Sequence, residues 1–383
     1  MTPPPTNERG HRGPEPEYEK VVSGYETFHS PHAFACEYGG ALPELAIAYE
    51  TWGALDASRS NAILLHTGLS ASSHARSHAR NPHRGWWEEF IGPGRALDTD
   101  RFFVVCTNLL GGCYGSTGPS STDPRTGRPY AAAFPVISVN DMLRAQLLLL
   151  DALGIDRLHA SVGGSLGGMQ SVGLAALAPE RVGRVVSISA AACSHPHAIA
   201  MRYAQRRAIM CDPDWRGGDY YGTSFPHRGQ SVARAIGTVT YRSGPEWEER
   251  FGRARRTDGP PTLGEDFEIE AYLAHQAEKF CLQYDANSYL YISKAMDLFD
   301  LATPAEPGAP APIASVACPA LVVGVTTDML FPVWQQRELR DLLAKAARAE
   351  RVEYDEIDAP YGHDTFLIEH RRLGARMHRF LAR

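Results

Sequence analysis

No stretch of the chain is apolar for long enough to cross a membrane; the run at residues 147–150 is ended at once by Asp151. The opening residues, 1–9, carry three prolines and no apolar signal core. Positive charge is not in excess. The formal net charge is −6, which excludes the basic face of a nucleic-acid binder. Cysteine is sparse and scattered: seven residues, at 36, 106, 113, 193, 211, 281 and 318, an odd number with no C-x-x-C. That excludes a disulfide framework and a paired-cysteine metal site, and a reduced cytoplasmic compartment is expected. Internal repeats are also lacking. What remains is 383 residues, 44% of them hydrophobic. This is enough for one large α/β domain with an insertion, or for two small domains.

Residues 1–20, rich in Pro, Glu, Arg and Gly, read as a disordered arm. Residues 44–53 alternate as an early antiparallel strand would. Short apolar strands are expected at 61–66, 102–107, 158–162 and 184–190, with helices over 139–153 and 166–178. Alternation of this kind implies an α/β class with a mostly parallel sheet and helices on both faces. It breaks at 194–310, which is polar-aromatic and helical in pattern, a candidate lid inserted in the sheet domain. A Pro/Ala-rich spacer at 302–312 leads back to the core. The core would then comprise 30–193 and 314–383, with the lid and spacer at 194–313. Strands at 320–325 and 351–357 and helices over about 333–348 and 364–381 complete the pattern.

The most informative stretch is Gly163-Gly164-Ser165-Leu166-Gly167, a G-x-S-x-G between a strand and a helix. A serine on so sharp a turn is strained, and side chains on its neighbours would clash, so glycine is needed on both sides. The pentapeptide alone is also compatible with a turn that only packs. A serine nucleophile needs a base, and the base an orienting carboxylate. In the order Ser, acid, His, the candidates are Asp328, just past the strand at 320–325, and His363, past the strand at 351–357. Each also has a plainer reading, Asp328 as a helix N-cap and His363 as a satisfied loop histidine. The oxyanion hole is expected from the N–H of Leu166 and, past residues 61–66, that of Leu69 beside Gly68. His74, His78 and His83 invite a zinc reading, but their flanks are loop-like and carry arginines, so no metal is expected. Trp86-Trp87 reads as loop packing.

Residues 163–170 resemble the nucleophile motif of the homoserine O-acetyltransferase family, a branch of the α/β-hydrolases. So do residues 85–88, 91–94, 111–121, 284–291 and 362–364, and the resemblance runs from about residue 30 to the end apart from the Pro/Ala link. It implies an α/β-hydrolase fold with an inserted helical lid, and an acyl-CoA-dependent acyltransferase of amino-acid biosynthesis, feeding cysteine or methionine. No bound cofactor is implied; acyl-CoA, as succinyl-CoA or acetyl-CoA, would be a co-substrate. It implies Ser165 as nucleophile, Asp328 as acid and His363 as base. Arg234 would bind the substrate and Asp364 would hold its ammonium group. One fixed cation and one fixed anion suit an amino acid; the plainer reading of each is a structural ion pair. A homodimer paired through lid helices is implied too, with no nucleic-acid or membrane partner.

Two stretches depart from the homoserine acetyltransferase pattern. Arg202 stands where many members have Asn, and Thr67-Gly68-Leu69-Ser70 replaces an Ala-Leu-Thr type of loop. Both, with residues 240–247, look like the serine O-succinyltransferase branch. Gly68, Leu69 and Ser70 would then bear on the acceptor. Arg202 would pair with the terminal carboxylate that succinyl has and acetyl lacks, unless it faces solvent or an acidic neighbour. Transfer of succinyl to the hydroxyl of L-serine, or of L-homoserine, is the first expectation, with acetyl transfer to L-homoserine, and an esterase or thioesterase, as alternatives.

Overall fold

The computed structural model describes residues 15–347 and 351–383. Its centre is an eight-stranded sheet: β1 (Glu26–His29), β2 (Ala46–Trp52), β3 (Ala62–His66), β4 (Phe103–Thr107), β5 (Ala160–Gly164), β6 (Val185–Ile188), β7 (Ala320–Val325) and β8 (Val352–Ile357). The spatial order is β1-β2-β4-β3-β5-β6-β7-β8. β1 and β2 run antiparallel to their neighbours, and the other pairings are parallel. The parallel strands therefore end on one rim. Every residue of β3, β5, β6 and β7 is buried, as strands covered on both faces must be.

Strand periodicity divides the core in two. Ala62 and Leu64 point to one face, where they meet helices α1 (Val139–Ala152) and α2 (Leu166–Leu177); Ile63 and Leu65 point to the other. α1 begins at a capping box: the Ser138 hydroxyl accepts from Asp141 N (3.0 Å), and the Asp141 carboxylate accepts from Ser138 N (2.9 Å).

Between β6 and β7 the chain leaves the sheet for five helices: α3 (Pro196–Met210), α4 (His227–Tyr241), α5 (Gly244–Arg250), α6 (Glu268–Cys281) and α7 (Ala286–Asp297). They carry their own apolar cluster, built around Tyr220, Phe280, Tyr284 and Tyr289. After β7 come α8 (Val333–Ala347), α9 (Thr365–Ile368) and α10 (His370–Leu381).

Three sequence expectations need correction. The strand expected at 158–162 starts two residues later, because Leu158 makes only an isolated bridge to Val182 and pairing with β3 begins at Ala160. The helix expected over 364–381 is split at Glu369, whose ψ of 55° is not helical. The arm drawn to residue 20 reaches less far. Its residues 1–14 lie outside the described residues, but Tyr18–Val21 form a helical turn, and buried Tyr18 donates to Asp285 Oδ1 at 3.1 Å.

Candidate active site

Ser165 sits between β5 and α2 with φ 58° and ψ −128°, a conformation a non-glycine residue holds only under constraint. Its N–H donates to Ile188 O (2.9 Å), and its C=O accepts the first helical bond, from Met169 N (3.0 Å). The glycines are explained by close approach. A Cβ on Gly163 would lie 2.3 Å from the backbone of Gly167, and one on Gly167 would lie 2.4 Å from His66 O. No larger residue fits at either place.

On the neighbouring strand ends, His363 Nδ1 lies 2.7 Å from Asp328 Oδ2. Asp328 Oδ1 accepts from Leu330 N (2.9 Å) and Phe331 N (2.8 Å), which fixes the carboxylate. The His363 ring stacks on Phe331 and meets the edge of Phe366. Burial disfavours its charged form, but the Asp328 carboxylate, with a smaller contribution from Asp364, outweighs this and holds His363 above the ordinary histidine value. Its Nε2 is buried and has no hydrogen-bond partner among the described residues.

Ser165 and His363 line one cavity of about 300 Å³, together with Gly68, Leu69, Ser70, Arg202, Arg234 and Asp364. Leu166 is the first residue of α2, where a backbone N–H has no intrahelical acceptor. The structure thus gathers residues from 68 to 364, from strand ends and from lid helices, around one cavity.

The charged groups differ in how free they are. The Arg234 guanidinium lies 4.6 Å from the centre of the Phe280 ring and 5.4 Å from that of Tyr241, and among the described residues it makes no ion pair. Asp364 has a protein partner, Arg242 Nε at 3.1 Å. Burial raises the pKa of Asp364, opposed by Arg242, His363 and Arg234. Arg202 is buried on α3 and neither faces solvent nor stands free. Its Nε donates to Asp297 Oδ1 (2.6 Å) and its Nη2 to Ser194 Oγ (2.8 Å). Arg206 Nη2 holds the other oxygen of Asp297 at 2.6 Å, so two guanidinium groups share one carboxylate. Arg202 Nη1 has no hydrogen-bond partner among the described residues.

Sequence reasoning missed Asp297, Arg206 and Arg242. A signal existed for the first two: Arg202 and Arg206 are four apart on α3, as Ser293 and Asp297 are on α7, and Arg206 also donates to Ser293 Oγ at 2.8 Å. Of the tryptophan pair, Trp87 packs in the core, but Trp86 forms part of the cavity wall.

The histidine-rich loop after β3 is tied to the sheet through buried Glu50, a residue the sequence reading did not single out. Glu50 Oε2 lies 2.8 Å from His74 Nδ1 and 2.5 Å from His78 Nε2, and Oε1 accepts from Ser73 Oγ at 2.7 Å. Three ligand-type atoms within 4.8 Å of one another make this a candidate cation site. Proton placement argues otherwise. His78 Nδ1 accepts from Arg80 N (3.2 Å), so its Nε2 carries the proton and offers no lone pair. His74 faces acceptors on both sides, Glu50 and His83 O (2.8 Å), and so carries both protons. Burial opposes that charge, but Glu50 and His83 outweigh it and raise the His74 pKa. His83 itself contributes its carbonyl, not its ring.

Residues 61–369 match the family model described as alpha/beta hydrolase fold. The chain is 48% identical to the serine O-succinyltransferase of Emericella nidulans, over 96% of this chain and 83% of that one. It is 45% identical to the homoserine O-acetyltransferase of Moorella thermoacetica, over 90% and 92%. Among solved structures, the homoserine O-acetyltransferase from Bacillus anthracis superposes with a TM-score of 0.85 at 29% identity, covering 94% of this chain and 98% of that one. Esterase E22 superposes with the same TM-score at 26% identity, covering 94% and 100%. With the strand order, the strained serine turn and the buried histidine–aspartate pair, these matches establish that the chain belongs to the homoserine O-acetyltransferase and serine O-succinyltransferase family of α/β-hydrolase-fold proteins.

Proposed function

We propose that the protein transfers an acyl group, succinyl in the first instance, from acyl-CoA to the hydroxyl of L-serine. The observation that carries this reading is the single cavity lined by Ser165, His363, Arg234, Asp364 and Arg202. Ser165 Oγ attacks the thioester carbonyl and gives its proton to His363 Nε2, while Asp328 stabilises the imidazolium. The N–H groups of Leu166 and Leu69 hold the oxyanion. When the tetrahedral intermediate collapses, the carbon–sulfur bond breaks and CoA leaves as the thiol with the proton from His363. The amino acid then enters, its carboxylate to Arg234 and its ammonium to Asp364. Its hydroxyl gives a proton to His363 and attacks the acyl-enzyme, and Ser165 recovers its proton as the new ester leaves. Ping-pong kinetics follow.

The unshared charge around Arg202 supports succinyl over acetyl. Two guanidinium groups against one carboxylate leave a net positive charge beside the cavity, and a succinyl carboxylate neutralises it. The α3–α7 insertion acts as a lid that keeps water from the acyl-enzyme. The names of the relatives support both donors and both acceptors. Exposed Tyr203 and Met210 on α3 and Val232 and Val239 on α4 suit a homodimer paired through the lid.

The test is thiol release over serine and homoserine crossed with succinyl-CoA and acetyl-CoA. The reading predicts the highest kcat/KM for serine with succinyl-CoA. Free CoA released equally fast with and without amino acid would make the protein a thioesterase, the alternative favoured by the superposition on an esterase.

A further inference from the structure

The loop that bears the Leu69 N–H has a glycine on the N-terminal side of that peptide. It leaves β3 through Thr67 and Gly68; a Cβ built on Gly68 would meet nothing within 4 Å, so no side chain fixes the backbone on that side of the 68–69 peptide, while on the other side Leu69 packs against the apolar clusters of the sheet and the lid. An oxyanion donor contributes only if it is already aimed before charge develops. Two hydrogen bonds from outside the loop fix its backbone further. Gln170 Nε2, fully buried on α2, donates to Thr67 O at 3.1 Å. Tyr284 Oη, from the turn between α6 and α7, donates to Leu69 O at 2.7 Å. These are the carbonyls of the two peptides that flank the 68–69 peptide.

Both donors are themselves fixed. Gln170 Oε1 accepts from Gln146 Nε2 (3.1 Å), which sets the orientation of the Gln170 amide, and Gln146 Nε2 also donates to Thr107 Oγ1 (3.0 Å). The Tyr284 ring stacks on Phe280 with centroids 5.1 Å apart, and Tyr284 O accepts from Gln230 Nε2 at 2.7 Å. Burial, the largest cause, pushes the phenol of Tyr284 well above its ordinary pKa, so it remains a donor at any working pH.

We infer that Gln170 and Tyr284 are positioning residues that clamp the peptides on either side of the Leu69 N–H and so preorganise it as an oxyanion donor. The inference rests on the reading of Ser165 as nucleophile and Leu69 as oxyanion donor. Gln170 references the donor to the helix that carries Ser165 and Leu166. Tyr284 references it to the lid, through the same Phe280 that lies against Arg234. The oxyanion geometry is thereby tied to the lid being seated.

The test uses the full chain with Tyr284→Phe and, separately, Gln170→Met, each of which deletes one donor while keeping side-chain bulk. The acylation rate constant is read from the pre-steady-state burst of CoA release with succinyl-CoA and no amino acid. The burst amplitude is checked against active sites counted from end-point labelling with a fluorophosphonate, so the rate constant is read from folded enzyme only. Displacing one oxyanion donor should cost roughly 10- to 100-fold in acylation rate per site in each variant, with KM for succinyl-CoA unchanged. A rate per site equal to wild type in both variants, or a loss seen only in KM, overturns the clamp. Ser165→Ala separates the two levels. If it still acylates, the nucleophile reading fails and the clamp falls with it. If it is dead while the other two variants run at wild-type rate, only the clamp fails.

Discussion

His363 Nδ1 stands 2.7 Å from Asp328 Oδ2, and each side chain is almost wholly withdrawn from water. A buried histidine would ordinarily titrate low. Here the pKa is held above the ordinary value, because Asp328 and, to a smaller extent, Asp364 outweigh burial. A base must be neutral to accept a proton, so kcat/KM should fall on the acid side through a pKa above the ordinary 6.5. Asp328→Asn should lower that limb and cost roughly 10⁴-fold in kcat, by loss of tautomer control and of imidazolium stabilisation. A pH profile of both forms decides it; an acid limb that does not move in the variant would disconnect the pair from catalysis.

Arg234 makes no ion pair among the described residues, and it is packed against two aromatic faces. Arg234→Gln should therefore raise KM for the amino acid by roughly 10- to 100-fold, the worth of a charge-assisted hydrogen bond. The acyl half-reaction, read as the CoA burst without amino acid, should be unaffected. Equal loss in both half-reactions would make Arg234 structural.

Arg202 differs, because Asp297 already holds it. Arg202→Asn should lower kcat/KM for succinyl-CoA about tenfold and leave acetyl-CoA nearly unchanged, since only succinyl brings a second carboxylate. Asp297→Asn should act in the opposite direction, freeing charge in the pocket and favouring succinyl further. A donor ratio that moves in neither variant removes the role of this cluster in donor choice.

Glu50 joins the sheet to the loop that follows Leu69. Burial works against its ionised form, but His74, Ser73 and His78 outweigh it, and the folded pKa lies below the ordinary one. The stability it supplies is present above the ordinary carboxylate range and lost as pH falls through the lowered value. For His74 the sign is reversed: its raised pKa supplies stability at low pH that is lost as pH rises through it. The difference in melting temperature between wild type and Glu50→Gln should therefore be largest in mildly acidic buffer, vanish as pH falls through the lowered Glu50 value, and shrink without vanishing as pH rises through the His74 value. Chelators should change neither melting nor activity; a drop in both, restored by zinc, would overturn the proton assignment at His78.

The placement of Ser165, Asp328 and His363 past strand ends was legible because a strained turn, a strand-end acid and a strand-end histidine are local signals, each fixed by a few neighbouring residues. The parallel sheet was legible for the same reason, since apolar strands alternating with helices have few ways to bury their faces. The strand containing Gly163 was misplaced by two residues because its start depends on where β3 offers partners, a non-local fact. The break at Glu369 left no mark in the helical pattern.

The sequence by itself determined the order of elements, the place of the strained serine turn and which side chains have the chemistry the proposed reaction needs. Only the tertiary structure decided how free each one is. Asp364 and Arg202 have protein partners, Arg242 and Asp297, whereas Arg234 has aromatic faces and no ion pair among the described residues. The physical reason is that a charge's worth depends on what else lies within a few ångströms, and here most of those neighbours come from other parts of the chain, 122 positions away for Arg242 and Asp364.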